Sequence, residues 1–308
     1  MKKSIRQVFL AFVLIMVLLS GCSLSSTPVP PALTFTLLPP TFPPPPVPTA
    51  TQQPPAATPN PKSALYVLSQ KGVVTRVSLT GETKNILDGA SEYGFQFLEH
   101  NIYVCDPNHS EILVYDPDGN LLRTVSVPSN VNFIEFTALP DGSFALLSNT
   151  DDKVYFIDST GNLLSTANIL DNPDSQWQSL TAIVVGNRLI LSEDGQKHVL
   201  AFDLDTYKMS IFKDLEGLPD GWLGDITYAD GVFYLTTSNT IYKFTDNSDP
   251  ITVAFLPKEA ITGIVILDGF AYVSVNVTGE IYKVNITDGT ISVVATGLDS
   301  PNNLVLGE

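Results

Sequence analysis

The sequence predicts an all-β fold, a six-bladed β-propeller, and three observations carry that prediction. The first is a phrase repeated six times between residue 63 and the C-terminus. Its second half reads VVTRVSLTG, EILVYDPDG, KVYFIDSTG, HVLAFDLDT, IYKFTDNSD and IYKVNITDG. Aligned on Ser78, Asp116, Asp158, Asp203, Thr245 and Asn285, the copies stand 38, 42, 45, 42 and 40 residues apart by subtraction. A period of about 40 residues with room for four strands per unit is the signature of propeller blades. The second observation is alternation: Ile102, Val104, Ile112 and Val114 are spaced by two, and β-branched and aromatic residues dominate. The third is ring closure. The first unit opens directly on ALYVLS and lacks an innermost strand, whereas the chain ends on Asn303-Leu304-Val305-Leu306. Pairing those two ends completes the first blade and removes the open sheet edge that aggregation exploits.

Each remaining unit begins with its own innermost strand: GFQFLE, FIEFTAL, LTAIVV, DITYA and TGIVIL. Hairpin dipeptides that tolerate positive φ separate the strands, among them Asp118-Gly119, Asp141-Gly142, Asp230-Gly231, Asp268-Gly269 and Asp288-Gly289. A β-sandwich is the rival architecture, and the regular spacing of six units argues against it. One domain spanning 63–308 follows, despite a length that allows two.

The N-terminus reads as an address. Lys2, Lys3 and Arg6 precede an apolar run from Val8 to Leu19, too short for a comfortable bilayer span. The tetrad Leu19-Ser20-Gly21-Cys22 that follows resembles the bacterial lipobox. That resemblance implies a signal peptide over 1–21 and a lipid on Cys22, hence membrane attachment through acyl chains. It implies a place in the cell envelope, on the outer face of the cytoplasmic membrane or in the outer membrane. Ser23, where an aspartate would signal retention at the inner membrane, leaves both open. From 22 to 62 the chain is rich in Pro and Thr. Fourteen of its 23 prolines fall between Thr27 and Pro61, a stretch with no Asp, Glu, Lys or Arg. Such a segment cannot build a core and reads as a disordered, extended stalk, reaching on the order of 100 Å at about 3.1 Å per residue.

Charge excludes one class of partner. Without the signal residues the chain carries 13 basic against 32 acidic residues, a net −19, with every acid in the propeller region. That balance argues against nucleic acid and against direct docking on anionic lipid. Cysteine use fits export: with Cys22 lipidated, Cys105 has no partner and reads as a small buried hydrophobe.

Catalytic signatures are absent: there is no G-x-S-x-G, H-E-x-x-H, P-loop or G-x-G-x-x-G. His100, His109 and His198 share no metal-site spacing. Asp116-Pro117-Asp118-Gly119-Asn120 begins like a calcium loop but lacks the later glutamate and sits where a hairpin is required, so it reads as a turn.

One blade carries a family phrase. Asn101–Asn120, with Val104-Cys105-Asp106, Asn108-His109 and Asp116-Pro117-Asp118-Gly119, resembles the NHL repeat. The other blades keep the strand pattern and lose Asn-His. The ending Ser300-Pro301-Asn302-Asn303-Leu304 is similar to the phrase that opens innermost strands in NHL and gluconolactonase-like propellers, with Asn303 in place of a glycine. The resemblance implies six blades, a fold that hosts binders, scaffolds and enzymes alike.

A ligand is expected where loops enter the innermost strands and crowd one face of the channel. Those entries carry Tyr93, Asn132, Trp177, Trp222, Asp225, Asn302 and Asn303. Large aromatics beside amides suit a protein, peptide or glycan, although the two tryptophans equally suit packing between blades. The gluconolactonase-like resemblance implies an alternative, a metal-dependent hydrolase or lyase. It needs an asparagine (Asn302 or Asn303), an aspartate (Asp225) and a glutamate (Glu135 or Glu92) converging on the channel, with calcium or another divalent ion as the cofactor.

Overall fold

The structure, a computed structural model, describes residues 63–91, 94–148, 150–169, 181–195, 197–218, 221–258 and 260–307. The signal segment, Cys22, the Pro/Thr-rich stalk, Glu92, Tyr93 and Trp177 lie outside them.

Among the described residues the 24 strands form six antiparallel sheets of four, one per sequence repeat. The innermost strands are β4 (Phe95–Leu98), β8 (Glu135–Ala138), β12 (Ala182–Val185), β16 (Leu223–Ala229), β20 (Ile261–Leu267) and β24 (Pro301–Gly307). Three strands follow each of the first five in chain order. The sixth, β24, joins the N-terminal trio β1 (Ala64–Ser69), β2 (Val74–Ser78) and β3 (Thr83–Leu87), giving the order β24-β1-β2-β3. Its register runs from Ala64 opposite Gly307 to Leu68 opposite Asn303, so the two ends of the domain are zipped together as the sequence predicts.

The repeat anchors prove to be turn caps. Asp116 accepts hydrogen bonds from the Asp118 and Asn120 amides at 3.0 and 2.8 Å. Asp158 accepts those of Thr160 and Asn162 at 2.8 and 2.9 Å, and Asn285 that of Thr287 at 2.8 Å. A short oxygen-bearing side chain at the end of most third strands satisfies amides the ladder has left behind, while in the fifth blade the Thr245 amide donates to Ser248 Oγ at 2.8 Å. This is the physical reason for the repeated Asp, Ser or Asn. It also makes the 116–120 segment a hairpin turn, as expected.

The same hairpin sets blade spacing. Gly161 has a φ of +95° and Gly119 one of +91°. A methyl group built on Gly161 would strike the Ser126 carbonyl of the preceding blade, and one on Gly119 the Ile86 carbonyl. Glycine serves there both for its backbone angle and for the close approach of two blades.

Apolar burial is distributed rather than central. Six clusters of buried side chains fill the six junctions between successive blades. Cys105 sits in one of them with no exposed surface, beside Phe133, Phe136 and Phe144. Each sheet buries both faces and leaves its innermost edge to the channel and its outermost edge to solvent. Leu121, Leu122, Leu163 and Leu164, on the outermost strands of the second and third blades, are exposed accordingly.

Candidate functional site in the central channel

An innermost strand has an unpaired edge, and its backbone amides need partners that the ladder does not supply. Side chains from the strands around the channel provide them. Gln96 Oε1 accepts the Ala138 amide at 3.0 Å, Thr181 Oγ1 the Ile226 amide at 3.2 Å, and Asp225 Oδ2 the Ile264 amide at 2.8 Å. Glu135 Oε1 accepts the Phe136 amide at 3.0 Å, and Gln96 Nε2 donates to Thr137 Oγ1 at 2.6 Å. All of these bonds except the one to Phe136 lock one blade to the next. They hold rigid a channel cavity of about 410 Å³.

Register shows how the channel is layered. Phe95, Phe136, Ala182, Ile226, Ile264 and Leu304 occupy one repeat position, opposite Val104, Leu146, Leu191, Leu235, Val273 and Val67. All six are buried between blades. The residue before each is Gly94, Glu135, Thr181, Asp225, Gly263 and Asn303. Near the entry end, then, one layer carries two carboxylates, a hydroxyl and an amide, with glycine at the other two places. Gly94 leaves room for the acid: a methyl group there would lie 2.6 Å from Glu135 Oε1. With that position vacant, Glu135 extends toward Asn303 of the first blade, whose side chain favours its ionised form. Further along, Gln96, Thr137 and Thr227 share the wall with Ile183, Val265 and Val305. Beyond them it is apolar: Phe97, Val184, Ile266 and Leu306.

The two carboxylates are electrostatically unusual. Burial pushes Asp225 up to about 6, against the stabilising bonds from Ile264, Thr181 and Ile226. Burial likewise raises Glu135 well above the ordinary glutamate range, opposed by the Phe136 amide and reinforced by the charge of Asp225. The described residues lining the cavity include no Lys, Arg or His, so nothing in its wall neutralises the pair. They also include no Cys or Tyr, which leaves the two carboxyls as the only ionisable side chains among them.

The expected ligand residues separate into two groups. Asp225 and Asn303 line the channel, together with Glu135. Asn132 is exposed on the entry to β8 and donates to Thr150 Oγ1 at 2.9 Å, and Asn302 is half-buried beside the channel. Trp222 is half-buried, with its ring against Gly224, and does not line the cavity. Its strand entry is pinned from the fourth blade: Asp194 accepts the Leu223 amide at 2.5 Å and pairs with Lys197 at 2.6 Å, while Lys197 also binds the Gly221 carbonyl. Among the histidines, His109 is exposed and bonded to Asp106 at 2.8 Å, and His100 lies in a hairpin turn with a φ of +62°. Gln96, Thr137, Thr181 and Thr227 complete the site, and no motif in the sequence singles them out. Stacking the six innermost strands in register finds the polar layer, because all its members share one repeat position.

Fold and channel together define a six-bladed β-propeller. No protein-family model matches the chain, and no curated protein matches it. Among solved structures, a chain from a nidogen–laminin complex superposes with a TM-score of 0.64 at 11% identity, covering 79% of this chain and 98% of that one. A streptogramin B lyase matches with a TM-score of 0.51 at 18% identity, over 66% and 68% of the two chains. Virginiamycin B lyase from Staphylococcus aureus gives 0.52 at 19% identity, over 68% and 72%. Likeness at these identities establishes the shared propeller fold alone.

Proposed function

We propose that this protein is a lipid-anchored extracytoplasmic binding module that captures its ligand at the channel face of the propeller. The observation that carries the reading is the channel: a preformed cavity of about 410 Å³ whose wall mixes convergent polar groups with apolar side chains. Ligand sites have that construction, and this volume falls within their usual range of about 300–1,000 Å³. Side chains already bonded to backbone amides are held in place before a ligand arrives, which lowers the ordering cost of binding. The lipobox-like Leu19–Cys22 and the uncharged stalk support a tethered domain held away from a membrane, and the net charge favours cationic partners over nucleic acid. A protein, peptide or glycan reaching the entry face would meet Asp225, Asn302, Asn303 and Asn132. The nidogen–laminin neighbour is a propeller within a protein complex, and this supports partner capture by analogy.

A second reading rests on the convergence of Glu135, Asp225 and Asn303. Three oxygen donors fit a hard divalent cation such as calcium, with water completing its shell. When bound, such an ion supplies Lewis-acid polarisation of a substrate oxygen. Asp225 or Glu135 would then take or give the proton in a hydrolase or lyase reaction, in keeping with the lyase neighbours.

Calorimetric titration of the full chain with calcium, beside its Asp225→Ala variant, separates the two. Tight binding that disappears in the variant favours the metal-dependent reading. An absence of calcium binding, with a partner retained on the immobilised protein and released by Asp225→Ala, favours capture. If neither calcium nor any partner depends on Asp225, the channel proposal is wrong.

A further inference from the structure

The channel wall changes character along its length. At the entry end stand Glu135, Asp225 and Asn303. At the other stand Phe97, Val184, Ile266 and Leu306. Two carboxylates share this cavity, and no basic residue among the described lining residues balances them. Buried charge is tolerated when it is paired, so the occupant best matched to the entry end is itself a cation. The count of groups narrows its chemistry. An ammonium has three N–H donors and no acceptor, and two carboxylates with one amide oxygen supply one acceptor for each. A calcium ion prefers 6–8 oxygen ligands and gains nothing from an apolar wall.

We propose that the channel binds a small amphipathic cation: an ammonium group held by Glu135, Asp225 and Asn303, carrying a short apolar tail that lies against Phe97, Val184, Ile266 and Leu306. The inference rests on the channel being the ligand site and specifies what that site takes. The ammonium enters a desolvated carboxylate pair, where charge-assisted hydrogen bonds are strongest. The tail passes Gln96, Thr137 and Thr227 and ends against walls that are apolar.

The test uses the full chain and five probes in parallel calorimetric titrations at pH 8: hexylammonium, methylammonium, hexanol, hexanoate and calcium. Hexylammonium is expected to bind at least tenfold more tightly than hexanol, which shares its tail, and hexanoate is not expected to bind. Glu135→Gln and Asp225→Asn keep size and an acceptor oxygen while removing charge, and each should weaken hexylammonium at least tenfold. Ile266→Asn should weaken hexylammonium and leave methylammonium unchanged. The wild-type series decides the matter should a variant fail to fold. Hexanol binding as tightly as hexylammonium, or calcium binding where hexylammonium does not, overturns this inference and leaves the channel as a site of other chemistry. If no probe binds, the inference falls, while a partner still released by Asp225→Ala would keep the channel as a capture site.

Discussion

Replacing Asp225 by asparagine removes a buried charge while keeping the oxygen that accepts the Ile264 amide, and the consequence for stability is opposite to that of most core substitutions. The carboxyl ordinarily titrates at 3.8 and is pushed up to about 6 in the folded channel. Between those values the folded protein holds more proton than the unfolded chain. Stability therefore falls as pH rises from about 4 through about 6, and the loss persists above. At about 1.4 kcal/mol per unit, a shift of roughly two units makes the ionised Asp225 cost about 3 kcal/mol above pH 7. The substituted asparagine never ionises and avoids that cost. Against this, its amide nitrogen replaces an oxygen that faces the Thr181 hydroxyl and the Ile226 amide, at a penalty on the order of 1–2 kcal/mol. The variant should thus be the less stable protein at pH 4 and the more stable at pH 8. The difference between the two should swing by about 3 kcal/mol, or some 6–12 °C in Tm at about 2–4 °C per kcal/mol for a domain of this size. Thermal melts followed by circular dichroism at both pH values measure it. A Tm difference that is the same at pH 4 and pH 8 would refute the claim that burial, uncompensated by protein charge, controls Asp225.

Three further outcomes follow from the packing. Gly161→Ala should cost several kcal/mol, because the new methyl group strikes the Ser126 carbonyl, whereas Gly142→Ala, with open space around it, should cost only the roughly 1 kcal/mol of its backbone angle; paired thermal melts compare them. Leu304→Ala empties a buried position on the strand that closes the ring and should cost about 2–4 kcal/mol, read by urea denaturation. Cys105, fully buried and with its thiol pushed well up by burial, should resist a soluble disulfide reagent in the native protein and react at once in denaturant.

Much of the architecture is legible in the sequence because a propeller repeats its local chemistry. The anchors Ser78, Asp116, Asp158, Asp203, Thr245 and Asn285 keep period because each ends a third strand, and most cap the outer hairpin that follows it. Asn303–Leu306 is recognisable as the closing strand because the first unit visibly lacks one. The site is less legible for a physical reason. Loop entries announce themselves through large polar and aromatic residues such as Asn132 and Trp222, yet Asn132 bonds to Thr150 of its own blade and the Trp222 ring lies against Gly224. The channel is lined instead by short strand residues whose significance is positional. Thr181 and Gln96 look ordinary until register places them where an edge amide needs an acceptor. Glu135 is within reach of sequence as one possible acid in the gluconolactonase-like pattern. What brings it to Asn303 is the absence of a side chain at Gly94, in a different repeat.

The central claim is that the Glu135–Asp225–Asn303 layer is built to hold a positively charged group. The most direct measurement is a crystal structure of the full chain grown at pH 8 with and without hexylammonium. Density for the ammonium is expected between Glu135 and Asp225, with the tail running toward Ile266 and Leu306. A channel holding the same ordered water in both crystals, with the two carboxylates bonded only to backbone amides, Thr181 and Asn303, would contradict it.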